Sequence, residues 1–155
     1  MQSLDESLQV VVFALGEIEF GIDIVQVREI DRLVPVTHVP HVPSFIEGVI
    51  NLRGQLVPVI DLRARLGLRA KQRTRAARII VAEIENRCMG MIVDRVCEVA
   101  RIPLDRIDDS ERVLSGLAAE YVGGLARIDE RVVILLAVRK LLAAGSIPTV
   151  DKEAV

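Results

Sequence analysis

The chain has 155 residues, 51% of them hydrophobic but only 3% aromatic, with no Trp and a formal net charge of −2. This length suits one domain or two small coupled subdomains, with a core of Val, Ile and Leu rather than rings. The charge balance excludes a global pull toward nucleic acid or anionic membrane, and two cysteines, Cys88 and Cys97, are too few for a disulfide framework.

Gln2 to Ser7 is a short polar stretch with neither a basic n-region nor an apolar h-region, so no leader is expected. Val10 to Leu15 is an apolar run ended by Gly16, as in a strand buried on both faces. Glu17 to Phe20 alternates polar and apolar and reads as the return strand of a hairpin. Pro35, Pro40 and Pro43 punctuate a loop biased toward extended backbone. Gly48 to Leu52 and Gln55 to Ile60 flank Arg53-Gly54, a tight turn in which Gly54 can supply positive φ. Asp61 can N-cap a short helix, Leu62 to Leu66, with Gly67 at its stop. Arg69 to Arg78 is a polar, basic junction. Ile79 to Ile84 and Cys88 to Val93 form a hairpin around Glu85-Asn86-Arg87. Ser115 to Glu120 fits one helical turn. Leu125 to Ile128 and Arg131 to Leu136 form the last hairpin, around Asp129-Glu130. Ala137 to Ala144 reads as a closing helix stopped by Gly145. The longest apolar runs, Val10 to Leu15 and Val132 to Val138, fall far short of the roughly 20 residues a bilayer needs. A soluble cytoplasmic protein is the expectation.

The chain carries an internal repeat. Gly21 to Ile30 lies over Gly90 to Val99 without a gap, matching Gly21 with Gly90, Val27 with Val96 and Glu29 with Glu98. Gly48 to Leu66 lies over Gly124 to Leu142, each a hairpin followed by a short helix. The two matches occur in the same order. They predict two similar β-subdomains within a single domain over 1–155, roughly 8–75 and 76–145, with 146–155 as a tail. Short hairpin-linked strands at regular spacing suggest small barrels, and two barrels side by side would share an apolar seam.

Chemistry-bearing patterns are sparse. No phosphate loop, nucleophile elbow or paired acid–base constellation appears, so no enzyme is expected. His38 and His41 lack a Cys-x-x-Cys partner, so no metal or other cofactor is expected. Asp23 and Asp94 read as turn or surface residues. The Arg63 to Arg78 stretch has no interleaved aromatics for base stacking, which weighs against an oligonucleotide-binding barrel, the main alternative from another class.

One segment is far more specific: Gly48-Val-Ile-Asn-Leu-Arg-Gly-Gln-Leu-Val-Pro-Val-Ile-Asp-Leu-Arg63. With Phe13 to Gly16, Phe20 to Asp23, Val27 to Ile30, Val39 to Pro43, Phe45-Ile46 and Gly90 to Asp94, it resembles the CheW family over about Gln9 to Leu142. The resemblance implies an all-β fold with short helices, as two intertwined SH3-like five-stranded barrels. It implies a non-catalytic adaptor of two-component chemotaxis signalling, located in the cytoplasm at membrane-associated receptor arrays without inserting in the membrane. The implied partners are the regulatory domain of a CheA-type histidine kinase and the cytoplasmic tip of a methyl-accepting chemotaxis receptor. Residue by residue, it places Val27, Glu29, Gly48, Arg53 and Val99 in a receptor-binding groove. Val27 and Val99 would be apolar wall, Gly48 would allow close backbone approach, and Arg53 would offer a planar fork to a carboxylate or to carbonyls. The kinase contact residues are not assigned. An adaptor of a chemosensory pathway for pili or gene expression would look the same. One departure stands out: Ala137 occupies a position where the family usually carries an Asp before the last helix.

Overall fold

The structure, a computed structural model, describes residues 6–108 and 119–143. Its strands are β1 (Ser7–Leu15), β2 (Ile18–Asp23), β3 (Val27–Arg32), β4 (Ile46–Leu52), β5 (Gln55–Asp61), β6 (Arg78–Ile84), β7 (Arg87–Val93), β8 (Arg95–Pro103), β9 (Ile107–Asp108), β10 (Val122–Ile128) and β11 (Arg131–Leu136). Two short helices, α1 (Leu62–Arg65) and α2 (Val138–Ala143), follow β5 and β11. The turn expected over Ser115 to Glu120 lies outside the described residues except at its end, where Ala119–Tyr121 forms a single 3-10 turn. The tail over 146–155 also lies outside them.

The tight turns adopt the backbone their residues favour. Arg53 and Gly54 both have positive φ (49° and 87°), as do Glu85 and Asn86 (53° and 67°). That pairing is the twist-matched geometry of two-residue hairpins. Asp61 caps α1 by accepting from the Arg63 N–H at 3.1 Å, and Gly67, at φ 75°, ends that turn.

The strands form two sheets, ordered β8-β1-β2-β11-β10-β9 and β3-β6-β7-β5-β4. The sequence repeat explains both orders. Hairpin β1–β2 precedes the first repeat's β3–β5, yet it sits with β8, β10 and β11. Hairpin β6–β7 makes the reciprocal move and sits with β3, β4 and β5. The parallel pairs that result are equivalent to the residue, Leu135 opposite Gly21 and Val59 opposite Gly90. The bulges are equivalent too. One falls between Val27 and Glu29 on β3, where the partner strand continues from Ala82 to Val81. Its counterpart falls in the β1–β8 pair, between the Phe13–Val96 and Val12–Glu98 positions. Each sheet therefore draws strands from both sides of the junction near residues 75 and 76, so the sheets do not divide where the sequence repeats divide. Sequence similarity reports equivalent local structure. It does not report which copy a hairpin pairs with.

Each sheet closes back on itself through the chain that follows its edge strand. Thr37, beyond β3, bonds Val49 on β4 in both directions at 2.9 Å, and β9, beyond β8, pairs with β10. Val57, Val59, Ile79, Val81 and Ile92 pack within one sheet, and Val10, Val12, Ile102, Val133 and Leu135 within the other. The largest apolar cluster lies between the sheets and contains Phe13, Phe20, Ile60, Ile80, Met89, Met91, Ile134 and Leu141. Phe13 and Phe20 stack there, with ring centroids 5.6 Å apart. Full burial of each such side chain contributes roughly 1.5–3 kcal/mol. The expected apolar seam is thus present, filled by the chain's own side chains.

Candidate functional site

Among the described residues, strand β3 is an edge strand with β6 as its only strand partner, and its residues alternate between half-buried and exposed. Val27 leans on the central apolar cluster. Two positions on, past the bulge, Glu29 accepts a hydrogen bond and ion pair from the Arg53 guanidinium. The Arg53 side chain is 67% exposed and that of Glu29 18%. Arg53 reaches across from the β4–β5 turn, so the contact spans the two edge regions of this sheet.

That turn is fastened without Arg53. The Asn51 carboxamide oxygen accepts from the Gly54 N–H at 2.8 Å. The Arg53 fork is turned toward a carboxylate and not toward the hairpin's carbonyls.

Gly48 lies on β4, buried, with φ 150°. A Cβ there would stand 2.1 Å from the Thr37 carbonyl oxygen. The close backbone approach that glycine permits is therefore made by the chain's own Thr37. Val99 lies on the other sheet, opposite Val11 of β1, and is 51% exposed. The structure thus brings Glu29 and Arg53 into contact, with Val27 on the same strand. Gly48 shapes the strand behind Arg53. Val99 shares a strand pair with none of the other four.

Several groups near this site were not singled out by the sequence. Val25, in the 3-10 turn before β3, is 81% exposed and lines a shallow depression with Val27, Arg28, Glu83 and Asn86. An apolar residue in an exposed connection was the only signal. Asp31 follows Glu29 on the same strand. The neighbouring Glu29 carboxyl, then burial, push the Asp31 pKa up to about 6, while Asp31 and Arg53 hold the Glu29 carboxyl below its usual range. The i, i+2 spacing of Glu29 and Asp31 could have flagged the pair.

The two halves are tied together away from this strand. Arg63 donates to both oxygens of Asp94, at 3.1 and 2.7 Å, and the Gly16 N–H donates to Asp94 at 2.7 Å. Arg63 holds the Asp94 carboxyl below its usual range, with a smaller push from Gly16. Arg65 lies over both the Phe45 and Tyr121 rings, 4.3 and 4.5 Å from their centroids. Asp23 caps the 3-10 turn before β3 by accepting from Val25 N–H. Cys88 receives a hydrogen bond from Arg28, and Cys97 one from Arg95. Among the described residues, no group of three or more His, Cys, Asp or Glu is placed to hold a metal ion. No described helix is long and apolar enough to cross a membrane.

Comparison with known proteins yields one family and several relatives. The family model of the CheW-like domain matches residues 9–146. Chemotaxis protein CheW of Klebsiella aerogenes is 37% identical over 143 residues, which span 92% of this chain and 86% of that protein. Protein PilI of Pseudomonas aeruginosa is 27% identical over 113 residues, spanning 73% of this chain and 64% of that one. The crystal structure of the scaffolding protein TtCheW from Thermoanaerobacter tengcongensis superposes with a TM-score of 0.79 at 38% identity, covering 84% of this chain and 88% of that one.

Proposed function

The chain belongs to the CheW family, and we propose that it is a chemotaxis adaptor that joins the cytoplasmic tip of a methyl-accepting receptor to the regulatory domain of a CheA-type histidine kinase. The observation that carries the reading is the family match across residues 9–146, in a chain whose fold also follows that of a CheW scaffolding protein. The protein acts in the cytoplasm at receptor arrays, by binding and not by catalysis. It works as one unit, because the exchanged hairpins leave neither repeat able to complete its sheet alone.

The receptor tip, a helical hairpin, docks beside β3. Arg53 and Glu29 supply the fixed polar contacts, and Val27 and Val99 supply apolar wall. Gly48 contributes indirectly, by letting Thr37 press against β4 so that the Arg53 turn is held in place. An exposed guanidinium whose hairpin is already fastened by Asn51 supports this role. A second reading, an adaptor of a pathway controlling pili or gene expression, draws on the likeness to PilI and uses the same surfaces.

Size-exclusion chromatography of the purified protein with a kinase regulatory domain, and separately with a receptor-tip fragment, tests the adaptor role. Co-migration with each is expected. Failure to bind either would leave the fold standing and remove the function.

A further inference from the structure

The β3 edge has a counterpart on β8. Glu29 and Glu98 occupy equivalent positions, each just past the same bulge. On β8 both local carboxylates are bonded. Arg131 donates to Glu98 at 2.7 Å and to Glu19 at 3.0 Å, so both carboxylates have a guanidinium partner. The position equivalent to Asp31 there is Ala100, opposite Val10 as Asp31 is opposite Ile79.

On β3 the pairing is incomplete. Arg53 donates to Glu29, and Asp31 adds a second carboxylate to the same strand face. The Asp31 Oδ2 is buried and meets no hydrogen-bond donor among the described residues. The residue opposite it on β6 is Ile79, which offers none. Arg32 and Arg78, the next pair along, face each other one position away, on the alternate side of the pleat. Arg28 donates to Gln55 and Cys88. Among the described residues, the charged groups acting on Asp31 are the Glu29 carboxylate and the Arg53 guanidinium. Arg53 bonds Glu29 alone, whereas on β8 the single Arg131 bonds both carboxylates, so the difference between the two edges is the missing donor at Asp31.

We propose that Asp31 is a specificity-determining residue of the receptor groove, and that together with Glu29 it takes a cationic side chain, Lys or Arg, from the receptor tip. This rests on the receptor reading above and names the chemistry of the partner at that site. The docked cation supplies Asp31 with the bond that Arg131 gives to the second carboxylate on β8. Two carboxylates then face two cations, and the half-buried pair is no longer held apart by repulsion.

The inference has a signature in pH that a merely structural acid would not give. Asp31 in the free protein is half-protonated near pH 6, and a cation binds its ionised form. At pH 5 only about a tenth of the molecules are ready to dock, so apparent affinity is roughly tenfold weaker than at pH 7.5. Docking near pH 6 releases a proton to the buffer.

The experiment is calorimetric titration of the full chain with a receptor-tip fragment between pH 5 and 7.5, in two buffers of different ionisation enthalpy. Wild type is compared with Asp31→Asn and Asp31→Glu, each checked for an intact melting transition. The expected result is roughly tenfold tighter wild-type binding at pH 7.5 than at pH 5, with proton release near pH 6. Asp31→Asn binds more weakly at pH 7.5, with that part of the pH dependence lost, and Asp31→Glu keeps it. Wild-type binding with Asp31→Asn matching it in affinity and pH slope overturns the role of Asp31 and leaves the groove intact. Failure of wild type to bind the tip at every pH overturns the receptor reading itself, and the inference with it.

Discussion

The β3 and β8 edges are two versions of one structure that have been given different surfaces. Their bulges, partner registers and following segments correspond, so the backbone problem is solved the same way twice. Their charges do not correspond. On β8 the Glu98 carboxylate is bonded by Arg131, which also bonds Glu19 from β2. On β3 the Glu29 carboxylate is bonded by an exposed Arg53, and Asp31 crowds it from the same strand. The comparison separates what the fold requires from what it leaves open. The shared features hold the sheets, and the unmatched features on β3 are the ones the proposed function assigns to a partner.

The largest expected difference lies in the equivalent glycines Gly48 and Gly124. A Cβ on Gly48 would meet the Thr37 oxygen at 2.1 Å, whereas one on Gly124 would meet its nearest neighbours at 3.2 and 3.3 Å. Gly48→Ala should therefore cost upward of about 3 kcal/mol, and Gly124→Ala about 1 kcal/mol, in denaturant unfolding. Equal costs would mean that the Thr37 approach is not a constraint.

Next come two carboxyls shifted in opposite directions. Asp94 is held low by Arg63, so its stabilisation is present above the ordinary carboxylate range and is lost as pH falls through its lowered pKa. Asp94→Asn should lose on the order of 2 kcal/mol at pH 7 and progressively less in acid, since it breaks a half-buried pair and the Gly16 bond. Asp31 is pushed up to about 6, so the folded state prefers its protonated form. Its favourable contribution is full below the ordinary aspartate pKa and is lost as pH rises to about 6. Asp31→Asn should raise stability at pH 7.5 by on the order of 1 kcal/mol after solvent screening, with the gain fading in acid. Urea unfolding across pH 4 to 8 reads both. A loss at Asp31 like that at Asp94 would contradict the unmatched pair.

The smallest difference is at the helix starts. The Asp61 N–H donates to the Phe45 carbonyl and the Ala137 N–H to that of Tyr121, both at 2.8 Å, so the positions are equivalent. Only Asp61 carries a capping side chain. Asp61→Ala should cost about 1 kcal/mol, and Ala137→Asp should gain up to about 1 kcal/mol, by thermal melts. A neutral or destabilising Ala137→Asp would mean that the second helix start cannot use a cap.

Much of this was legible in the sequence because it is local. The Arg53-Gly54, Glu85-Asn86 and Asp129 turns could be placed from residue chemistry, and the apolar runs around them are strands. The gap-free repeat anticipated the matching registers. Strand β8 was harder to read, since its nine residues mix Arg, Glu and Cys with Val and present a partly exposed edge. The hairpin exchange was legible only through the family resemblance, which implied intertwined barrels; the repeat alone could not show it, because two similar copies offer similar pairing surfaces and only the folded chain selects between them. At the site, Arg53 and Glu29 were legible as a motif, and their direct pairing was not. Gly48 was legible as a close approach, but Thr37, eleven positions earlier in a Pro-rich loop, gave no sign of being the neighbour. Asp31 looked like one more charge on an exposed strand, and its meaning depends on the absence of a donor opposite it.

The central claim is that Arg53 belongs to a docking surface while its counterpart charge Arg131 belongs to the fold. It is tested by measuring the affinities of Arg53→Ala and Arg131→Ala for a receptor-tip fragment and for the kinase regulatory domain, alongside their melting curves. Arg53→Ala should bind the tip at least tenfold more weakly, a loss of about 1.4 kcal/mol or more, with kinase binding and melting unchanged. Arg131→Ala should bind both as wild type does and lose at most about 1 kcal/mol of stability. If Arg53→Ala unfolds the protein, or weakens both partners alike, Arg53 is a structural residue of its hairpin and the account of the groove is wrong.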